Sequence, residues 1–172
     1  KKFVPATAEI KWLDYGADNY AGVTWSDIPK TDGRRLFIGW MSNWLYAQKV
    51  PTEVWRSAMT IPRVLELHES EGQYKLLAKP VQEMTKLRKS SEPVTTKKID
   101  LSSDILEIEL DVLSTDFQLI FSNKNKEKVT LQKKGNQIIF DRSQSGITTF
   151  NDDFRKIHYA PAKDMDIKKI KV

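Results

Sequence analysis

The segment Trp40-Met41-Ser42-Asn43-Trp44 contains two tryptophans, a serine and an asparagine, a composition typical of a carbohydrate contact. Sugar-binding pockets place flat aromatic faces against the C–H surfaces of a ring, while polar neighbours hold the hydroxyl groups. Trp44 lies past the end of a predicted strand and is the favoured contact, whereas Trp40 lies inside that strand and is assigned mainly to packing. Ser42 and Asn43 could donate to hydroxyl groups, although turn formation explains both equally well.

Acidic residues and one arginine of the same region are further candidates. Two carboxyl groups about 5 Å apart can act together as nucleophile and proton donor, but the spacing of Asp14, Asp18 and Asp27 does not establish such a pair. Asp18 either lines a substrate pocket or caps backbone N–H groups before a strand, and Asp14 is expected to hold the preceding turn. Arg56 either anchors an acidic side chain near the pocket or forms a structural salt bridge.

Other kinds of chemistry find no support in the sequence. The chain contains no cysteine, which excludes disulfides, thiolate catalysis and cysteine-bound metals. His68 and His158 stand apart from any serine, aspartate or cysteine pattern, so neither indicates a catalytic triad or a zinc site. We therefore predict no cofactor and no metal.

The net charge of +5 does not indicate a nucleic-acid partner, because the basic residues form no sustained stripe. The lysines between positions 124 and 134 flank polar turn residues and are expected to form a solvated hairpin rim. No run of 18 apolar residues is present, so no transmembrane helix is predicted. Neither nucleic acid nor a membrane is an expected partner.

Strand patterns dominate the first half of the chain. Short runs rich in aromatic and branched residues alternate with turn residues, and Glu71-Gly72 is typical of a hairpin turn. This spacing fits a propeller blade or a sandwich and does not fit alternating strands and helices. The predicted strands are Tyr20–Trp25, Arg35–Trp40, Trp55–Ile61, Leu65–His68 and Tyr74–Ala78.

The segment Pro80–Ser90 has a different pattern, with Val81, Met84 and Leu87 at helical spacing. It predicts a short amphipathic helix that connects two units, with a boundary near residue 90.

Beyond this connector, apolar and polar residues alternate again and predict an antiparallel sheet with one buried face. Its strands are expected at Ile105–Val112, Phe117–Phe121, Val129–Leu131 and Gln137–Asp141, the last after a turn at Lys134-Gly135-Asn136.

Two long blocks, WLDYGADNYAGVTWSDIP from Trp12 and DGRRLFIGWMSNWLYAQKVPTEVWRSAMTIPR from Asp32, resemble the C-terminal part of the catalytic domain of β-fructosidases, glycoside hydrolase family 32. Asn19 stands where the family usually has phenylalanine. Asp141-Arg142-Ser143-Gln144-Ser145-Gly146 resembles the D-R-S/T-x-S-G signature of the family's C-terminal sandwich. The family's three catalytic blocks, W-M-N-D-P-N-G, R-D-P and E-C, do not occur.

The resemblance implies an all-β fold: the closing strands of a five-bladed β-propeller over residues 1–78, a linker with a short helix over 79–90, and a β-sandwich over 91–172. The sandwich is expected to be incomplete, with open strand edges that favour self-association. The blades that would carry the catalytic carboxylates are expected outside this chain.

The resemblance further implies a fragment of a fructan- or sucrose-hydrolysing retaining glycosidase that is extracellular or periplasmic. No catalytic residue is expected in this chain; the substrate-binding candidates are Trp44, Asp18, Trp40, Asn43 and Arg56. Expected partners are a fructan or sucrose-type carbohydrate and either the remainder of the parent enzyme or a second copy. Alternatives are a related furanosidase, a structural or interaction module, and a non-catalytic carbohydrate-binding module. The absence of tryptophan after residue 90 disfavours the carbohydrate-binding module.

Overall fold

The computed structural model describes residues 2, 4, 5, 8, 10–101, 103, 105–163 and 165–172. Its regular elements in these ranges are ten β-strands and one short 3₁₀ helix, which confirms the all-β class. The chain divides into two compact units, Lys1–Lys86 and Leu87–Val172. No helix in the described ranges has the length and apolar character needed to cross a lipid bilayer.

The first unit is built on one antiparallel sheet in which each strand pairs with the next one along the chain. This up-and-down order follows from the short connections that separate the strands, and it is the order of strands in a propeller blade. The strands are β1 (Tyr20–Thr24), β2 (Arg35–Trp40), β3 (Arg63–Ser70) and β4 (Gln73–Pro80).

The hairpin between β3 and β4 is confirmed at the predicted turn. Ser70 pairs with Gln73, so the loop contains only Glu71 and Gly72. Both loop residues have left-handed backbone angles, with φ of 54° and 73°. Two successive left-handed residues match the right-handed twist of the flanking strands, and this turn type favours asparagine followed by glycine. Glu71 therefore occupies a position that disfavours its own side chain.

The predicted strand Trp55–Ile61 is wrong. Only one isolated bridge forms there, between Met59 and Trp40 of β2. Ser57 has a φ of 75°, which interrupts the extended backbone that a strand requires. Thr60 is buried and its hydroxyl accepts the Gly39 N–H at 2.9 Å, so this segment is fastened to β2 at single points.

The predicted connector helix forms as a 3₁₀ helix over Gln82–Leu87. The spacing of Val81, Met84 and Leu87 matches three residues per turn, which is the 3₁₀ period. Val81 is buried and Met84 is half-buried, but Leu87 is 71% exposed, so the predicted apolar face is only partly covered.

One arginine joins this helix to the loop between β1 and β2. The Arg34 guanidinium donates to both carboxylate oxygens of Asp32, at 2.7 and 2.8 Å, and to both of Glu83, at 3.1 and 2.9 Å. The hydrogen bonds from Arg34 lower the pKa of Asp32 from 3.8 to about 2, and they also lower the pKa of Glu83. A single planar donor group thus links two segments that are distant in the sequence.

The second unit contains a four-stranded antiparallel sheet in the order β6-β7-β8-β9 and a separate two-stranded ribbon of β5 and β10. The ribbon consists of β5 (Glu109–Asp111) and β10 (Lys169–Lys171). The larger sheet consists of β6 (Phe117–Ser122), β7 (Lys128–Lys134), β8 (Gln137–Gln144) and β9 (His158–Pro161). The alternation predicted one buried face correctly for β6, where Phe117, Leu119 and Phe121 are half-buried and the intervening residues are exposed.

Two predictions in this unit need correction. The strand expected over Ile105–Val112 is regular only at Glu109–Asp111, where it pairs with β10. Backbone hydrogen bonds between Ile108 and Val172, and from the Val112 N–H to the Lys168 carbonyl, flank this pairing. The lysine-rich rim is not uniformly solvated, since Lys133 is 8% exposed. Its ammonium donates to the carbonyl oxygens of Thr115 at 2.8 Å and Gly135 at 3.0 Å, which offsets the cost of burying the charge.

The signature block that begins at Asp141 forms a folded corner at the end of β8. The Arg142 guanidinium lies 4.0 Å above the Phe154 ring, and its Nε donates to the Phe154 carbonyl at 3.0 Å. Asp141 accepts the Ser143 N–H at 2.8 Å, and the Thr148 hydroxyl donates to the Ser143 carbonyl at 3.0 Å. These contacts give the block a structural role in holding the β8–β9 connection.

Replacing Glu71 by asparagine is expected to stabilise the chain. Asparagine tolerates the left-handed conformation, so Glu71→Asn should raise the free energy of unfolding by up to about 1 kcal/mol, measured by urea denaturation. Glu71→Gln is the matched control, because it removes the same charge without gaining that tolerance. Equal stability of the two variants would contradict the turn assignment.

Loss of the Asp32–Arg34 pair should destabilise the first unit in a pH-dependent way. Because the folded-state pKa of Asp32 is lowered from 3.8 to about 2, the pair stabilises the fold above pH 3.8 and loses this effect as the pH falls through about 2. The difference in urea midpoint between wild type and Asp32→Asn should therefore be largest near neutral pH and shrink in acid. Asp166→Asn is the control, since Asp166 pairs with the exposed Lys168. A difference that grows in acid would contradict this account.

Candidate functional site

The loop before β1 is fastened by the carboxylate of Asp14. One oxygen accepts the Gly16 N–H at 3.1 Å, so Asp14 holds the turn as the sequence predicted. The other oxygen accepts from the Asn19 amide at 2.8 Å and from the Arg63 guanidinium at 3.0 Å. Arg63 is the first residue of β3, so the loop that carries Asp18 is tied directly to the sheet.

Asn19 fits its position because a glycine faces it on β2. A side chain at Gly39 would place its Cβ 2.0 Å from the Asn19 Oδ1 atom, which no real contact allows. The pair of small residues lets the loop lie close against the strand. A larger aromatic residue at position 19 would therefore need different packing against Gly39.

Asp18 is bound by a residue that the sequence did not single out. Its carboxylate accepts a hydrogen bond from the Tyr46 hydroxyl. Tyr46 is only 3% exposed, and a buried tyrosine hydroxyl normally requires a polar partner. The sequence signal for Tyr46 was weak, because an aromatic residue after a predicted turn is also typical of ordinary core packing.

Asn43 organises the turn that places Tyr46. Its side-chain oxygen accepts the Leu45 N–H at 3.0 Å, and its carbonyl oxygen accepts the N–H groups of Tyr46 at 3.1 Å and Ala47 at 2.8 Å. Its amide donates to the Ala17 carbonyl at 3.1 Å. Turn formation, one of the two roles considered for Asn43, is therefore observed, and contact with a sugar hydroxyl stays a prediction.

The two tryptophans have different surroundings. Trp40 ends β2 and is half-buried, with its ring centroid 6.2 Å from that of Tyr20 in an edge-on arrangement. Trp44 is 63% exposed, and its ring centroid lies 5.1 Å from that of Trp40 at an interplanar angle of 59°. Trp40 therefore supports Trp44 from one side while Trp44 presents indole surface to solvent. A sugar ring could stack on that surface.

Arg56 contacts the main chain just after the turn that carries Trp44. Its guanidinium donates to the Gln48 carbonyl oxygen, and within the described ranges it forms no ion pair with a carboxylate. Neither of its two predicted roles, the anchoring of an acidic side chain or a structural salt bridge, is observed there. Its contact with substrate stays a prediction.

Four of the five predicted site residues thus come together around the end of β2. Asp18 contacts Tyr46, and Asn43 contacts Ala17. Both contacts connect the loop before β1 with the turn that carries Trp44. Within the described ranges, no three histidine or acidic side chains are grouped as a metal site would require. The arrangement offers an aromatic surface, a carboxylate and amide groups, which suit binding of a polyhydroxylated ring.

Comparison with known proteins identifies the family of the chain. Residues 1–80 match the family model described as the glycosyl hydrolases family 32 N-terminal domain. A levanase from Bacillus subtilis (strain 168) is 37% identical over 162 residues, which is 85% of this chain and 24% of the levanase. An extracellular exo-inulinase from Aspergillus awamori is 29% identical over 91% of this chain and 32% of its own length.

A solved structure shows the same fold. The crystal structure of exo-inulinase from Aspergillus awamori matches 98% of this chain and 35% of its own chain, with a TM-score of 0.69 and 22% sequence identity. The chain thus shares its fold with this exo-inulinase. The chain belongs to glycoside hydrolase family 32, and it spans about a quarter of the length of the levanase that it matches.

Removing the Tyr46 hydroxyl should loosen the site. Tyr46→Phe is expected to lower the free energy of unfolding by about 1–2 kcal/mol, because a hydrogen bond to a charged group is lost. Tyr15→Phe is the matched control, since Tyr15 is 47% exposed, and it should change stability by less than about 0.5 kcal/mol. In a double-mutant cycle with Asp18→Asn, the two changes should be non-additive. Additive effects would show that the two side chains are not coupled.

Proposed function

We propose that this chain is part of a retaining β-fructosidase that hydrolyses a fructan or a sucrose-type carbohydrate. The observation that carries the proposal is the exposed Trp44 indole beside the Asp18–Tyr46 hydrogen bond, on a sheet of family 32. The levanase and exo-inulinase names of the relatives support fructan as the substrate class. The word extracellular in the second name supports an extracellular or periplasmic location.

In this proposal the chain contributes substrate contacts and no catalytic group. Retaining hydrolysis requires a nucleophilic carboxylate and a proton-donating carboxyl group about 5 Å apart. The sequence contains none of the family blocks that would supply them, so both groups belong to chain outside these 172 residues. Trp44 would stack on the fructosyl ring, and Asp18 and Asn43 would bind its hydroxyl groups. Trp40 would support Trp44 from behind. Arg56 would contact the substrate at the edge of the site.

The domain assignment is part of the same proposal. Residues 1–78 would form the closing strands of a propeller, 79–90 the linker and 91–172 a sandwich. The boundary between the two compact units, after Lys86, falls inside the proposed linker. The meander of β1 to β4 has the strand order of a propeller blade, which supports the first of these assignments.

The test uses the purified chain and a levan oligosaccharide. Addition of the sugar should shift the indole N–H resonance of Trp44 in a nuclear magnetic resonance spectrum, and the shift should saturate. Trp44→Ala should abolish binding, whereas Trp40→Phe should weaken it less, because the stacking surface itself remains. Trp55→Phe is the control, since Trp55 is also largely exposed, at 72%, and is not one of the proposed contacts.

The same samples should release no fructose from sucrose, inulin or levan. The loss of both catalytic carboxyl groups typically removes many orders of magnitude in rate. Robust release of fructose by the purified chain would contradict the proposal that both catalytic groups lie outside these 172 residues. Equal shifts of the Trp44 and Trp55 indole N–H resonances on addition of sugar would contradict the assignment of the binding site.

A further inference from the structure

The loop between β1 and β2 contains the single Asp-Gly pair of the sequence, Asp32-Gly33. In such a pair the glycine nitrogen can attack the aspartate Cγ, because glycine has no side chain to hinder the approach. Every other aspartate or asparagine of the sequence precedes a residue that carries a side chain. Gly33 has a left-handed φ of 69°, and apart from its chain neighbours no described residue has an atom within 4 Å of the position that its Cβ would take. The attack is therefore sterically open at this pair.

The attack would convert Asp32 into a cyclic succinimide. The Gly33 nitrogen forms a bond to Cγ of the neutral carboxyl group, and the carboxyl OH leaves with the Gly33 N–H proton as water. Hydrolysis then consumes one water and breaks one of the two C–N bonds of the ring. Breaking the Cγ–N bond restores aspartate, whereas breaking the bond from nitrogen to the main-chain carbonyl carbon gives isoaspartate. In isoaspartate the main chain runs through the former side chain and is longer by one methylene group.

Both carboxylate oxygens of Asp32 are held by Arg34. Oδ1 accepts the Arg34 backbone N–H at 3.1 Å and its Nε at 2.7 Å, and Oδ2 accepts from Nη2 at 2.8 Å. Whichever oxygen leaves as water, at least one charge-assisted hydrogen bond to the guanidinium must break first. The same side-chain and backbone hydrogen bonds lower the pKa of Asp32 to about 2, so they also favour the ionised carboxylate, which is the unreactive form.

The attacking nitrogen and the guanidinium are themselves held by the fold. The Gly33 N–H donates to the Pro29 carbonyl at 3.5 Å, and the Asp32 N–H donates to the same oxygen at 2.9 Å. Arg34 is fixed on its other side by the Glu83 carboxylate, at 3.1 and 2.9 Å. The hold on Asp32 therefore belongs to a folded network that a free peptide of the same sequence lacks.

We propose that Asp32-Gly33 is a latent site of isoaspartate formation, and that Arg34 protects it by holding both carboxylate oxygens. Isoaspartate at position 32 would change the spacing between this carboxylate and Arg34, which would leave Glu83 as the acid that binds the guanidinium. The link between the β1–β2 loop and the 3₁₀ helix would then be weakened. The inference is independent of the sugar site, because Asp32 precedes β2 and Trp44 follows it.

Ageing of the purified chain near neutral pH, below its unfolding temperature, tests the proposal. Trypsin cleaves after Lys30 and Arg34 and releases residues 31–34, whose aspartate and isoaspartate forms separate by chromatography. An isoaspartyl methyltransferase labels only the second form. The folded chain should form isoaspartate at least about tenfold more slowly than a synthetic peptide of residues 28–37. Arg34→Ala should raise the rate in the folded chain at least about fivefold, because two charge-assisted hydrogen bonds no longer oppose loss of a carboxyl oxygen.

Two further variants separate the hold on the carboxylate from a general loosening of the loop. Glu83→Gln removes the other acid bound to Arg34 but keeps the Asp32–Arg34 hydrogen bonds, so its rate should stay close to that of wild type. Arg34→Lys keeps the charge without the planar donors, so it should also accelerate the reaction, and it decides the question if Arg34→Ala does not unfold cooperatively in urea. A wild-type rate equal to that of the peptide, a rate of Arg34→Lys equal to that of wild type, or a rate of Glu83→Gln as high as those of the Arg34 variants would each overturn the proposal.

Discussion

The Asp14 carboxylate is the constraint on which the candidate site depends. It gathers three N–H donors, from its own turn, from Asn19 and from Arg63 at the start of β3. Without this junction, the loop that carries Asp18 would lose its side-chain link to β3. Because Arg63 belongs to the sheet, the position of the loop is set by the register of β3 against its neighbours. Binding geometry and sheet geometry are therefore coupled through one side chain.

Local sequence patterns predicted the strands that pair with sequence neighbours. The β3–β4 hairpin and strand β2 were predicted because alternation and turn residues act within a few positions of each other. The segment Trp55–Ile61 was wrongly assigned to a strand. Its side chains alternate as they would in a strand, but Ser57 adopts a left-handed φ angle that the sequence pattern does not indicate. The connector shows the same limit, since Val81, Met84 and Leu87 fit a period of three as well as one of 3.6.

The same limit decides which residues of the candidate site could be predicted from sequence. Trp44 could be placed beyond a strand end from sequence, because that depends only on where β2 stops, and it is exposed as this position requires. Tyr46 could not be predicted as a site residue from sequence, because its role depends on which carboxylate the folded loop brings to its hydroxyl. That carboxylate, of Asp18, is 28 residues away in the chain. The role of Arg56 likewise depended on its neighbours in space: it contacts a backbone carbonyl at Gln48 and not an acid. Residue type predicted the kind of chemistry, and tertiary contacts decided the partners.

The double contact of Arg34 has an evolutionary consequence. A lysine could satisfy Asp32 or Glu83, but its compact ammonium lacks the planar array of donors that holds both carboxylates in paired hydrogen bonds. Substitution at any one of these three positions therefore removes the reason for the other two. Homologous chains should keep arginine with both acids or replace all three residues together. Positions 32, 34 and 83 would then be inherited as a single unit, although 50 residues lie between the outermost two.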